Sequence, residues 1–292
     1  MVHSTASTPE LTAEQVQRIL VQPLAEKSVF LAAGPRIFDS SSEVRIPKLG
    51  GPITDPGWTG ENEQIPERDA DFDEVTLLPS TMKSVKVLTR YSNELARQSI
   101  VSLDATLRDR LVTDVANKLD AQFLGDAGDG LTTPRGLFAY EDVQTLDVDA
   151  PLDLDVLLTA WGMALSANVN MAALKWVLTP REFVALRKVK DTADRYLLQA
   201  DPTADGVFRL WGAPVIVTGR IPDDETVPET PTGRAALVDF SQIAVARDLA
   251  PSVKILDQTF GDYDQQAIRV VARYDAAPLN PDAIVTLTGI TV

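Results

Sequence analysis

The chain has 292 residues, 45% of them apolar, enough for one large core or two interleaved ones, and it carries 27 lysines and arginines against 42 carboxylates, a formal charge of −15. It has no cysteine and one histidine, His3. Disulfide frameworks, thiolate nucleophiles and cysteine–zinc sites are therefore excluded, and triads or histidine metal clusters lack a ring fixed by packing. The acidic balance opposes tight binding to nucleic-acid phosphates, and no run of ~20 apolar residues or signal-peptide pattern occurs, so a cytoplasmic chain without a membrane span is expected.

Leu11, Val16, Ile19, Leu20 and Leu24 predict a short amphipathic helix between Pro9 and Leu31, limited by Pro23 and too short to bury its face alone; it reads as an arm. Val44–Leu49 and Phe72–Leu77 read as two strands of a long hairpin flanking about twenty polar residues. That stretch cannot build its own core, and a lone tryptophan in it, Trp58, marks a docking segment.

Between Ser92 and Leu124, apolar residues at Ala96, Ile100, Leu103, Leu107, Leu111, Val115, Leu119 and Phe123 predict a helix about 50 Å long. Four-residue steps wind its stripe around the axis, so it touches different surfaces along its length. Gly125 stops it, and the connector 125–130 lacks the ligand spacing of a calcium loop, leaving its glycines for a cap and turn. A second helix is predicted over Leu152–Leu174, with Asp153 and Asp155 in its first turn. The acidic run Glu141, Asp142, Asp147, Asp149, Asp153 and Asp155 would suit a carboxylate-dependent hydrolase, but no pocket signature accompanies it, and caps and solvated faces explain it more simply.

Lys175–Leu178 reads as a buried strand, Thr179–Pro180 opens a third helix through Leu186, and Leu210–Val217 returns as a hairpin. Residues 222–233 form an acidic, Pro/Thr-rich loop. Strands follow at Ala235–Phe240, Ile243–Arg247, Gln266–Asp275 and Ile284–Leu287. Helices and strands mix without alternation, which indicates an α+β fold.

The order of these elements, with Phe72–Leu77 leading through Val85–Leu88 to Ser92-Asn93-Glu94-Leu95, Phe123-Leu124-Gly125 with Pro134–Leu137, Trp176–Pro180, Leu210–Val215, and Ile268–Tyr274 before Pro281–Val285, resembles the Hong Kong 97-type major capsid proteins of tailed bacteriophages. The resemblance covers most of the chain from about residue 44 onward. It implies a fold with an N-arm (1–43), an extended loop hairpin (44–80), a spine helix and first part of a peripheral domain (81–137), a mainly axial domain (138–250) and closing strands of both (251–292). It implies a structural subunit of an icosahedral virion, with no catalytic, metal or cofactor site, assembling in host cytoplasm as pentamers and hexamers around double-stranded DNA. Portal, a separate scaffolding protein and a decoration protein are the further partners expected. An encapsulin-like nanocompartment shell is the alternative.

Some members of that family crosslink a loop lysine to an asparagine with help from a glutamate. Here no lysine lies between Lys48 and Lys83, and the other two positions fall on Asp264 and Val271, so no autocatalytic crosslink is expected. The loop carries Glu61, Glu63, Glu67, Asp69, Asp71, Asp73 and Glu74 against Arg68, while the spine region offers Arg90, Arg97, Arg108 and Arg110. Trp58, Glu61, Glu63, Glu67, Arg68 and these four arginines are the assembly-interface candidates, the acids of one subunit setting register on the bases of the next.

Overall fold

The computed structural model describes residues 28–40, 42–49, 58–59, 61, 72–98, 103–190, 194, 196, 208–224 and 231–291. Two sheets and a hairpin organise the chain. The first sheet has the order β1-β10-β11-β4, from β1 (Arg36–Asp39), β4 (Val85–Ser92), β10 (Ile243–Phe260) and β11 (Gln265–Pro278). The second runs β5-β12-β9-β6-β8-β7, from β5 (Gln144–Asp147), β6 (Leu174–Leu178), β7 (Arg209–Leu210), β8 (Ala213–Val217), β9 (Gly233–Asp239) and β12 (Ile284–Ile290). The hairpin pairs β2 (Val44–Leu49) with β3 (Phe72–Leu77) from Val44↔Leu77 to Leu49↔Phe72, as its alternating pattern predicts.

In the first sheet, Ile268, Val270, Ala272 and Tyr274 of β11 are buried while Arg269 is exposed, the period of two that the sequence shows. The buried face is covered by α3 (Leu103–Phe123), whose Leu111, Val115, Leu119 and Phe123 share a cluster with Val85, Val87, Ile268 and Val270. The helix end turns to another surface: Phe123 meets Phe30 at 4.9 Å, and Phe30 meets Phe240 edge-on at 5.6 Å. Phe30 lies in α1 (Val29–Ala32); the rest of the predicted arm helix lies outside the described residues.

Two helical segments occupy the span of the helix predicted from Ser92. Ser92 ends β4 and its hydroxyl accepts the Leu95 N–H, opening α2 (Asn93–Gln98), and residues 99–102 lie outside the described set before α3 begins. The second helix is shorter than its sequence suggests: α4 is Leu154–Ser166, capped by Asp153. Asn168 just beyond it takes φ 54°, the left-handed conformation that stops helices, and Met171 reaches the core from a loop. Helix α5 (Pro180–Arg187) opens with Thr179 accepting the Glu182 N–H, as expected from Thr-Pro.

Strand β9 is buried at every position. Ala235 and Leu237 face the cluster built with α4 and α5 around Trp176, whereas Ala236 and Val238 join the cluster shared with the first sheet. A strand covered on both sides reads as a continuous apolar run, which is why Ala235-Ala236-Leu237-Val238 lacks alternation. Trp211 (φ 48°) and Gly212 (φ 83°) turn the β7–β8 hairpin, both central residues being left-handed as a type I′ turn requires. The strand expected at Ile243–Arg247 continues to Phe260, with irregular register at 247–252. Strands β1 and β5 were not legible as strands: each is four residues long and joins its sheet by parallel pairing to a distant segment.

Candidate assembly interface

The hairpin β2–β3 carries the loop in which the first interface candidates lie. Its two strands are tied by cross-strand charge pairs, Lys48–Asp73 at 3.1 Å and Arg45–Glu74 at 3.5 Å, and the Lys48 ammonium beside Asp73 keeps that carboxyl below its ordinary range. Two of the loop's seven acids thus have partners in their own hairpin. Between the strands, Trp58 is fully exposed at 106% of its reference area and Glu61 is exposed. Glu63, Glu67 and Arg68 lie outside the described residues.

The candidate arginines sit in different settings. Arg90 belongs to β4, with its guanidinium 4.0 Å from the centroid of the Phe260 ring. Arg97 is exposed in the last turn of α2. Arg110 pairs with Asp114 one turn on, at 3.0 Å. The Arg108 side chain lies outside the described set. The structure groups Arg90 with Lys86 on β4 and, across the register, with Arg269 and Lys254 on the open side of the first sheet, a grouping that distance in sequence hides.

Where the hairpin joins the body, Leu77, Leu78 and Met82 are buried with Ala244 and Ala246. Leu78 takes φ 54°, and its N–H is donated to Asp275 Oδ2 at 2.8 Å, while the Ala276 N–H is donated to Oδ1. Arg273 adds a second hold, donating to the Pro79 carbonyl at 2.8 Å and pairing with Asp248 at 3.1 Å. Burial pushes the Asp275 carboxyl up to about 6 against the pull of these two N–H donors and of Arg273. A cavity of about 380 Å³ opens beside it, lined by Asp275, Tyr140, Arg135, Glu141 and Lys48 among others.

Helix α1 is fixed by a residue that the sequence did not single out. Asp120 on α3 is 1% exposed, accepts from Ser28 Oγ at 2.6 Å and from the N–H groups of Val29 and Phe30, and so caps α1 from across the fold. Burial raises its carboxyl, opposed by those three bonds and by Arg220. Asp120 lies one position past Leu119, off the apolar stripe, so periodicity did not mark it.

The connector after α3 is a backbone-capping device. Asp129 accepts the N–H groups of Leu131, Thr132 and Thr133, which hold its carboxyl well below the usual range. Gly128 (φ 118°) and Gly130 (φ 70°) supply the left-handed turns. The acidic run beyond it is spent similarly: Glu141 pairs with Arg135 at 2.9 Å, Asp142 and Asp149 occupy left-handed positions, and Asp153 caps α4. Asp264 and Val271, at the crosslinking positions, are likewise engaged. Asn93 donates to Asp264 Oδ1 at 2.6 Å, and Val271 pairs with Lys86 in the ladder. Among the described residues no group of three or more His, Asp or Glu side chains is arranged to hold a metal, and no helix is long and apolar enough to cross a membrane.

The comparisons with known proteins agree with this geometry. The phage capsid family matches residues 11–289. The major capsid protein of Klebsiella oxytoca phage phiKO2 is 23% identical over 302 aligned residues, spanning 96% of this chain and 68% of that protein. Among solved structures, the capsid of a native GTA particle superposes with a TM-score of 0.73 at 17% identity, over 92% of this chain and 93% of its own. The chain from Microbacterium phage Oxtober96 does so at 0.71 and 16% identity, over 98% of both chains. These matches favour a phage shell over a nanocompartment. The near full-length family match and the superposition on solved phage capsid chains establish that the chain belongs to the phage capsid family and has the α+β, Hong Kong 97-type fold that its sequence resembles.

Proposed function

We propose that this chain is the major capsid protein of a tailed phage, assembling as pentamers and hexamers into an icosahedral head around double-stranded DNA. The family match over residues 11–289 carries the reading. In it, the first sheet with α3 is the peripheral domain, the second sheet with α4 and α5 the axial domain, residues 1–43 the arm and 44–80 the extended loop. Trp58, Glu61, Glu63, Glu67 and Arg68 belong to the loop that lies on a neighbour, and Arg90, Arg97, Arg108 and Arg110 to the surface that receives it. Symmetry lets many modest contacts close on themselves, so charge sets register and summed burial stabilises the shell.

Portal and a separate scaffolding protein complete the assembly, with a decoration protein on the outer surface and the host cytoplasm as the place of assembly. The acidic chain encloses DNA without gripping it. Electron microscopy of the purified protein tests the proposal: icosahedral particles or isolated pentamers and hexamers are expected, and a chain that stays monomeric under all assembly conditions overturns it.

A further inference from the structure

Strand β3 enters the body of the chain through Leu78, which is buried, takes the left-handed conformation at φ 54° and donates its N–H to Asp275 Oδ2 at 2.8 Å. A leucine held there is strained, and only its surroundings keep it so. At the other end of the hairpin the chain comes from Asp39 of β1, which Arg247 grips with two bonds of 2.6 and 2.9 Å. The hairpin thus hangs from two fixed points, one per strand. Beside the first lies the cavity of about 380 Å³, lined on the hairpin side by Lys48, Thr76 and Leu77, on the body side by Asp129, Arg135 and Tyr140, and at the junction by Asp275. That space gives the hairpin room to swing toward the body, which a close-packed junction would deny it.

Two groups at the cavity are left unsatisfied by this arrangement. Asp275 is 3% exposed and accepts only the amides of Leu78 and Ala276, while Arg273 beside it is shared between Asp248 and the Pro79 carbonyl. The Tyr140 hydroxyl is buried and has no hydrogen-bond partner among the described residues. An unpaired buried hydroxyl is costly, and a buried carboxylate without a cation of its own is more so. Burial accordingly pushes Asp275 up to about 6, and it raises the Tyr140 phenol too, with the Asp275 charge adding to that rise. The described arrangement is therefore the one that the protonated carboxyl favours, and ionisation above about 6 penalises it.

The remaining charged groups of the cavity are engaged elsewhere. Asp129 accepts three backbone N–H groups, Arg135 pairs with Glu141, Lys48 pairs with Asp73, and Asp142 stands in a left-handed turn. Both ion pairs are partly exposed, so each is weakly held. Arg135 lies against Gly130 of the connector. Lys48 instead is a flexible stem on the element that has room to move.

We propose that the hairpin root is a two-position pivot operated by a proton on Asp275. With the carboxyl protonated, the hairpin stands off from the body as described here. With it ionised, the Lys48 ammonium exchanges Asp73 for Asp275, the Tyr140 hydroxyl donates to the same carboxylate, and the hairpin turns about Leu78 to close the cavity. One proton passes to solvent and no covalent bond changes. The pivot is a property of the single chain and holds whether or not the chain forms shells.

Because the chain lacks cysteine, paired spin labels can be placed without background. Glu74→Cys on the hairpin is combined in turn with Lys118→Cys on α3 and with Asp282→Cys, all three positions being exposed, so that a swing across one vector registers on the other. Pulsed dipolar spectroscopy of the purified, unassembled chain is expected to show a shift of several ångströms in at least one distance between about pH 5 and about pH 8, with its midpoint near the Asp275 value. Asp275→Asn is expected to keep the acid distances throughout, Lys48→Gln to lose the alkaline ones, and Tyr140→Phe to move the midpoint up. If Asp275→Asn does not fold, Lys48→Gln carries the test, since it leaves the carboxyl in place. Distances that do not change with pH, or that change equally in Asp275→Asn or Lys48→Gln, overturn the pivot. A chain that shows the pivot but never forms particles overturns the shell reading and leaves the pivot standing.

Discussion

Asp275 and Asp120 are carboxylates held where charge is costly, and the energetic consequence runs opposite to that of Asp129. Burial raises Asp275 to about 6, above the value of about 3.9 in an unfolded chain. The folded state therefore holds the proton more tightly, and the contribution of this group falls as pH rises from about 4 to about 6, then stays level. The size is on the order of 2–3 kcal/mol. Urea unfolding of the wild type and Asp275→Asn across that range is expected to show the slope only in the wild type; parallel curves would refute it. For Asp129 the depressed carboxyl contributes stability that is present above its unfolded value and lost as pH falls. Asp120 accepts three bonds that cap α1. Asp120→Ala leaves two backbone N–H groups and a hydroxyl unpaired, at a cost of about 1–3 kcal/mol. Hydrogen exchange is expected to lose protection at Val29 and Phe30 while β9 is unchanged.

At the scale of elements, two glycines separate conformational strain from steric conflict. Gly34 (φ 95°) has open space where a Cβ would lie, whereas at Gly128 (φ 118°) a Cβ would sit 2.0 Å from the Pro134 carbonyl oxygen. Gly34→Ala is expected to cost about 1–2 kcal/mol from backbone conformation alone, and Gly128→Ala more, because the loop after α3 must move. Thermal melts of the two variants check the order; equal shifts would show that the connector yields freely. Thr179→Ala, which removes the cap of α5, is expected to cost about 1 kcal/mol. The elements legible in the sequence were those whose pattern is local. The β2–β3 alternation, the stripe of α3 and the Thr-Pro start of α5 each follow from neighbouring residues. Strands β1 and β5 were not, because four residues carry no period and both owe their conformation to parallel partners more than 130 positions away, Ala244–Arg247 and Val285–Thr288.

For the whole molecule, the loop charges and the crosslinking positions make separate predictions. With Asp264 held by Asn93 and no lysine between Lys48 and Lys83, subunits of mature shells are expected to run at monomer mass in denaturing gels, and a covalent ladder would refute this. Reversing Glu61 and Glu63 to lysine is expected to impair assembly and leave the monomer folded; normal shells from that variant would remove the loop charges from the account. The sequence by itself determined the classes of chemistry excluded by one histidine and no cysteine, the mixed α+β composition, the long hairpin with no core of its own and the order of elements that marks the family, because composition and short-range periodicity are properties of the chain alone. Only the tertiary structure decided which charges are already paired, that Asp120 caps a helix from 90 residues away, that Asp275 holds the root of the hairpin, and that Lys86, Arg90, Lys254 and Arg269 share one face. Those depend on register between distant strands, and register is fixed by what the core buries.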